Sequence, residues 1–184
     1  SKLAIKKDIP QLDGRVLLAE DNGDNRMLMT RYLNRAGLEV IVAEDGEIAV
    51  KKALSESVHL ILMDQHMPKM NGPKATQMLR MTGFSRPILA FTASDDGEDF
   101  IEMEKAGCNG IIEKPIKTDQ LYAKLAEFLP AKKKMNTAAV QAPNKKAVVG
   151  AEKDNDSGAV PEQAIVPEQW QDEDLLPIVK QFVE

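Results

Sequence analysis

The feature that most constrains this chain is an alternation that runs from residue 13 to 129. Short apolar runs appear at Val16-Leu17-Leu18-Ala19, Val40-Ile41-Val42-Ala43, Leu60-Ile61-Leu62-Met63 and Ile88-Leu89-Ala90-Phe91, with a weaker run at Ile111-Ile112. Each has the length of a strand. Strands that are apolar on both faces are covered on both faces, which is the habit of parallel sheets. The segments between them carry apolar residues at three- and four-residue steps: Leu28, Tyr32, Leu33 and Ala36, then Ala49 and Ala53 flanked by Val50 and Leu54. Ala75, Met78 and Leu79 follow, then Phe100, Met103 and Ala106, and last Leu121, Leu125 and Phe128. One stripe of each predicted helix can therefore face a sheet. Gly37 and Gly107 stand where a left-handed helix end is wanted, and Asp24 or Asn25 is placed to cap the first helix. Five strands alternating with five helices predict an α/β fold with a mostly parallel sheet, in which ligands sit beyond the carboxyl ends of the strands.

A length of 184 residues allows one domain with extras or two small ones, and an apolar share of 43% is enough for a core. After Leu129 the pattern stops. Residues 131–166 are rich in Ala, Lys, Asn, Val and Pro and read as a flexible linker, and 167–184 form a short apolar tail interrupted by Pro177 that could begin a further domain. Residues 1–12 read as an N-terminal linker, leaving 13–130 as the folded unit.

The net charge of −5 is spread along the chain. The basic cluster Lys132-Lys133-Lys134 reads as solvated linker, so no nucleic-acid partner is expected. Cys108 is the only cysteine, which fits a reducing compartment and a structural thiol. No stretch reaches the roughly 18 apolar residues of a membrane span, and the start of the chain lacks an apolar signal core. The expectation is a cytoplasmic fragment without membrane contact, whose longer parent could be membrane-anchored.

The chemistry gathers at strand ends. The first strand runs into Glu20-Asp21 and the third into Asp64. If those strands are neighbours, three carboxylates meet at one sheet edge, where they repel and raise one another's pKa. A hard divalent cation with oxygen ligands is their natural partner, and Mg²⁺ with its affinity for phosphate oxygens points to phosphoryl chemistry. Thr92 after the fourth strand and Lys114 after the fifth bring a hydroxyl and an ammonium to the same edge.

The set Glu20-Asp21-Asn22, Asp64-Gln65-His66-Met67-Pro68-Lys69-Met70-Asn71-Gly72, Thr92-Ala93 and Lys114-Pro115 resembles the receiver domain of two-component response regulators. Ala19-Glu20-Asp21-Asn22 with Asn25-Arg26 resembles the receivers of hybrid sensor histidine kinases in particular. The resemblance implies a doubly wound, flavodoxin-like (βα)5 sheet of strand order 2-1-3-4-5. It implies that Asp64 takes a phosphoryl group from the phosphohistidine of a histidine kinase or histidine phosphotransfer domain. Glu20, Asp21, Asp64 and the backbone carbonyl of His66 would hold Mg²⁺, Thr92 would bond the phosphoryl oxygen, and Lys114 would pair with it across a cis Lys114-Pro115 bond. Met67-Pro68 and Gly72 would shape the loop after Asp64.

One departure stands out. The family usually carries an aromatic residue three positions before the lysine, and that switch position is Ile111 here. His59 reads as structural, whereas His66 sits at the mouth of the site and could tune its rates. Neither lies in a kinase histidine motif, and no Gly-rich ATP loop is present, so the phosphoryl donor must come from elsewhere. Other readings are a stand-alone or DNA-binding response regulator, although no recognition helix is visible. A Mg²⁺-dependent aspartyl-phosphate phosphatase would want an acid where His66 stands. A flavin-binding domain of the same topology would set a phosphate against the acidic first loop.

Overall fold

The structure is a computed structural model that describes residues 8–93 and 97–133. The expected apolar tail, and the expected linkers apart from residues 8–12 and 131–133, lie outside the described residues. Ten elements alternate in chain order: β1 (Arg15–Ala19), α1 (Gly23–Arg35), β2 (Glu39–Ala43), α2 (Gly46–Ser55), β3 (Leu60–Asp64), α3 (Gly72–Met81), β4 (Ile88–Ala93), α4 (Gly97–Ala106), β5 (Gly110–Lys114) and α5 (Thr118–Phe128). All strand pairs are parallel, and the sheet order is β2-β1-β3-β4-β5.

Strand alternation divides the core into two layers. From β1 and β3, Val16, Leu18, Leu60 and Leu62 face a cluster with Met29 and Leu33 of α1 and Leu121 and Leu125 of α5. Leu17, Ile61 and Met63 face the other side, with Ala49 and Ala53 of α2, Met78 and Leu79 of α3 and Met103 of α4. Every residue of β3 is buried, as a central strand requires. The edge strand β2 departs from the expectation of full burial: Val40 and Ile41 are half-buried and Val42 is exposed. An edge strand has one neighbour, so apolar side chains there are covered only where a helix reaches them.

The helical stripes shift in detail. Met29 takes the core position on α1, and Leu28, one residue and about 100° away, is exposed. Leu54 of α2 and Phe100 of α4 also point to solvent, because the buried residues of α4, Met103 and Ala106, lie in its second half. The cap of α1 is Asn22, whose Oδ1 accepts from the N–H groups of Asp24 and Asn25, so Asp24 and Asn25 are the capped residues and not the caps. Gly37 and Gly107 adopt φ of 83° and 102°, and after each the chain folds back: Leu38 N–H donates to Leu33 O at 3.2 Å and Cys108 N–H to Met103 O at 3.1 Å.

At the pole opposite the strand carboxyl ends, Leu12 pairs antiparallel with Ala131. Asp13 N–H donates to Pro130 O and Lys132 N–H to Gln11 O, each at 2.8 Å. Leu12 is 2% exposed and belongs to the α1–α5 core, so these segments pack with the domain. His59 has a structural task here: its Nδ1 accepts from the Arg15 N–H at 2.9 Å.

Candidate functional site: an acidic cluster at the carboxyl edge of the sheet

The crossovers after β1 leave on opposite faces, α1 leading to β2 and α2 to β3. The crevice between β1 and β3 is therefore the switch point where open α/β sheets place their ligands. Ala19 is in register with Met63, so the residues that follow them, Glu20 and Asp64, emerge side by side. Glu20, Asp21 and Asp64 each offer a carboxylate oxygen within 4.8 Å of the others. Glu20 and Asp64 are buried, whereas Asp21 is exposed.

Lys114, at the end of β5, reaches back across the edge. Its Nζ lies 2.8 Å from Asp64 Oδ2 and 3.3 Å from Glu20 Oε2. Burial pulls the ammonium pKa down, but the hydrogen bond and charge of Asp64, with the charge of Glu20, outweigh it and hold Lys114 above its ordinary value. Glu20 is pushed up, first by burial and then by the charge of Asp64, against the opposing pull of Lys114 and the Asn22 N–H. Lys114 thus contacts two of the three clustered carboxylates, Asp64 and Glu20. The surplus negative charge and the all-oxygen donor set fit a hard divalent cation.

Thr92 is 4% exposed and lies one residue beyond Phe91, the register partner of Asp64. Along β4 it alternates with Phe91 and so shares a face with Ala90, whose register partner on β5 is Ile111. Ile111 is half-buried against the α2–α3–α4 core. The Lys114–Pro115 peptide is cis. The side chain of His66 is 75% exposed, with Nε2 3.1 Å from Asp99 Oδ2 on α4. Cys108 is a half-buried thiol, its pKa raised chiefly by burial.

The loop after Asp64 is closely built. Gly72 N–H donates to Gln65 O at 2.8 Å, and Asn71 Oδ1 caps α3 by accepting from Lys74 N–H at 2.9 Å. A Cβ on Gly72 would overlap the Asp64 carbonyl oxygen, so only glycine lets the chain turn this close to the strand end. Arg26 and Lys69 stand in the quoted motifs without a role, and Asp45 in none; the structure gives each a supporting contact. Arg26 Nη1 donates to the carbonyls of Glu20 at 2.8 Å and Asp21 at 3.2 Å, fixing the acidic loop from below. Asp45 caps α2 through Ile48 N–H at 2.8 Å and accepts from Lys69 Nζ at 2.7 Å. The Asp45-Gly46 pair before a helical run was a visible cap signal; the long reaches of Arg26 and Lys69 leave no local pattern.

Comparison with known proteins agrees with this fold. The osmosensing histidine protein kinase SLN1 of Saccharomyces cerevisiae is 38% identical over 124 residues, which is 64% of this chain and 10% of that protein. The chain therefore spans only a small part of that relative. Among solved structures, the receiver domain of sensor histidine kinase PA1611 from Pseudomonas aeruginosa PAO1, with a magnesium ion in its active-site cleft, is 32% identical. It superposes with a TM-score of 0.59 over 62% of this chain and 96% of that one. The receiver domain of Ssk1, solved with the histidine phosphotransfer protein Ypd1 of Saccharomyces cerevisiae, gives 27% identity and a TM-score of 0.58 over 65% and 90%. The response regulator receiver domain model matches residues 16–126, and with the sheet order and acidic edge described above this chain belongs to that family of two-component signalling domains.

Proposed function

We propose that Asp64 accepts a phosphoryl group from a phosphohistidine and that the phosphorylated domain signals or passes the group on. The observation that carries this reading is the pairing of a buried Asp64 carboxylate with the Lys114 ammonium at 2.8 Å, beside two further carboxylates at the switch point of the sheet. In the transfer, an Asp64 oxygen forms the new bond to phosphorus as the P–N bond breaks, and that electron pair returns to the imidazole nitrogen. Lys114 gives up part of its hold on Asp64 to pair with the incoming phosphoryl oxygens, and the Thr92 hydroxyl donates to one of them. Glu20, Asp21, Asp64 and the His66 carbonyl would hold Mg²⁺, which when bound neutralises charge on the transferring group. Hydrolysis of the acyl phosphate by water returns the free carboxylate.

A histidine kinase or a histidine phosphotransfer domain is the partner this chemistry requires. The likeness to SLN1 and to the PA1611 receiver supports a hybrid sensor kinase as the parent chain; a stand-alone or DNA-binding regulator is the alternative. A cytoplasmic site of action suits such a receiver, and no helix among the described residues is long and apolar enough to cross a membrane. The phosphatase reading finds no acid two residues after Asp64, where His66 instead pairs with Asp99. The test is labelling by acetyl phosphate and by phosphohistidine donors. Wild type should label once per chain in the presence of Mg²⁺, and Asp64→Asn should not label. Normal labelling of Asp64→Asn, or sustained turnover of an aryl phosphate by wild type, would sink the reading.

A further inference from the structure

The turn between β2 and α2, Glu44-Asp45-Gly46, carries none of the residues assigned to the site, yet it bonds to both loops that do. On one side Arg26, whose Nη1 holds the carbonyls of Glu20 and Asp21, sets its Nη2 3.5 Å from Glu44 Oε1. On the other side Lys69 Nζ donates to Asp45 Oδ2 at 2.7 Å, and Gly46 N–H donates to Met70 O at 3.2 Å. The approach at Gly46 is close enough that a Cβ would overlap the Met70 carbonyl. The Asp45 side chain is 4% exposed and its other oxygen caps α2, so the anchor is fixed to a helix.

Lys69 itself is held in an unfavourable state. Its φ of 63° is the only positive φ of a non-glycine residue among the described residues. The left-handed region crowds a Cβ against the following carbonyl. Its side chain is 60% exposed, so packing does not hold it there. Two constraints do: the Met70 N–H bond to Pro68 O at 2.7 Å, which closes the turn around Lys69, and the side-chain bond to Asp45.

We propose that Lys69 is a positioning residue: by bonding to Asp45 it fixes the loop after Asp64 relative to the Glu20-Asp21 loop, and so sets the affinity of the acidic edge for its divalent cation. The inference rests on the reading of that edge as a Mg²⁺ site. Residues that orient a metal's ligands commonly carry large factors in affinity. Lys69 acts one step further out and through a part-exposed pair, which reduces the factor to about three- to tenfold. The sign makes the idea testable. Removing a nearby cation should, by charge alone, strengthen the binding of Mg²⁺; loss of the bracket should weaken it.

Calorimetric titration of Mg²⁺ into the full chain decides the matter. Lys69→Met keeps the stem and the left-handed strain and removes the donor; Asp45→Asn keeps the cap and removes the charge. Each should raise the Kd for Mg²⁺ about three- to tenfold, and the double variant should be no worse than the weaker single, because both act through one bond. Lys69→Arg should restore near-normal affinity, and Lys124→Met, on an exposed pair with Glu127, should change nothing. A merely structural role would lower Tm and leave Kd alone. Binding by Lys69→Met within twofold of wild type or tighter, or additive losses in the double variant, overturns the proposal. A wild-type chain that takes up no Mg²⁺ overturns the metal reading and the bracket with it.

Discussion

Replacing Lys114 by Met removes the one ammonium among the described residues that contacts the acidic edge. Its two contacts, 2.8 Å to Asp64 and 3.3 Å to Glu20, correspond at an effective dielectric of about 20 to gross attractions of about 6 and 5 kcal/mol. Most of that is offset by the cost of drawing charges out of water, and breaking a buried pair typically costs about 3–5 kcal/mol net. The Lys114 side chain keeps 29% of its exposure, so solvent screens part of the effect and about 2 kcal/mol is the expected loss for the metal-free domain at pH 8. For a domain of roughly 120 residues that is about 8 °C in Tm. The loss should depend on pH in a definite direction. Glu20 already sits above its ordinary value of 4.5, and Lys114 is one of the groups that pull it down. Without Lys114 it rises further. A carboxyl whose folded value is raised contributes stability that is full below the unfolded value and is lost as pH rises through the folded one. The gap between wild type and Lys114→Met should therefore widen from pH 5 to pH 8, and saturating Mg²⁺ at pH 8 should narrow it again. Thermal unfolding at both pH values, with and without Mg²⁺, gives the answer. A gap that is absent, or equal at pH 5 and pH 8, would refute the picture of one cation restraining mutually repelling acids.

Two further substitutions test the frame around the site. Gly72→Ala forces a Cβ onto the Asp64 carbonyl, so it should cost about 2 kcal/mol and slow labelling of Asp64 by acetyl phosphate; a fully stable, fully active variant would contradict the close approach. Thr76 on α3 is buried with an Oγ1 that has no hydrogen-bond partner. Thr76→Val replaces it at equal volume and should stabilise the domain by about 1 kcal/mol, read as a rise in Tm; a fall would mean the hydroxyl is bonded.

The parallel sheet was legible because its strands are written twice, once as apolar runs and once by the helical spacing between them. The strand-end acids were legible for a related reason. In an α/β sheet the residue that follows an apolar run lies at the carboxyl edge, so position in sequence already gives position in space for Glu20, Asp21 and Asp64. Burial by individual side chains was less legible. Leu28 and Phe100 keep the right spacing and still face solvent, because spacing gives a helix face and not its angle to the sheet. The capping oxygen on Asn22, two residues before Asp24, was missed because adjacent polar residues offer equivalent caps until backbone direction is known. Arg26 and Lys69 were quoted as motif residues, but their pairings with Glu44 and Asp45 were beyond reach, because those partners lie on another turn that only the folded chain brings near.

Ile111 bears on how such a site could speak to the rest of the molecule. It packs against the same core as Ala90, on the β4 face that Thr92 continues toward the acids. An aromatic residue with a polar tip at this place could exchange a buried position for an exposed one and keep a hydrogen bond in either. Isoleucine has no such exchange. Turning the half-buried side chain outward would expose apolar surface worth about 1 kcal/mol and gain nothing from water, and its branched χ1 resists the rotation. Two routes from the acidic edge remain on this face. One is a shift of the β4 end carried by Thr92 itself. The other is the His66–Asp99 contact, which ties the loop after Asp64 to the first turn of α4 at 3.1 Å. The His66–Asp99 contact reaches the first turn of α4, beside which Phe100 and Ile101 stand exposed. If Asp64 takes a phosphoryl group as proposed, the His66–Asp99 contact offers a route toward α4 that does not need the side-chain rotation Ile111 resists.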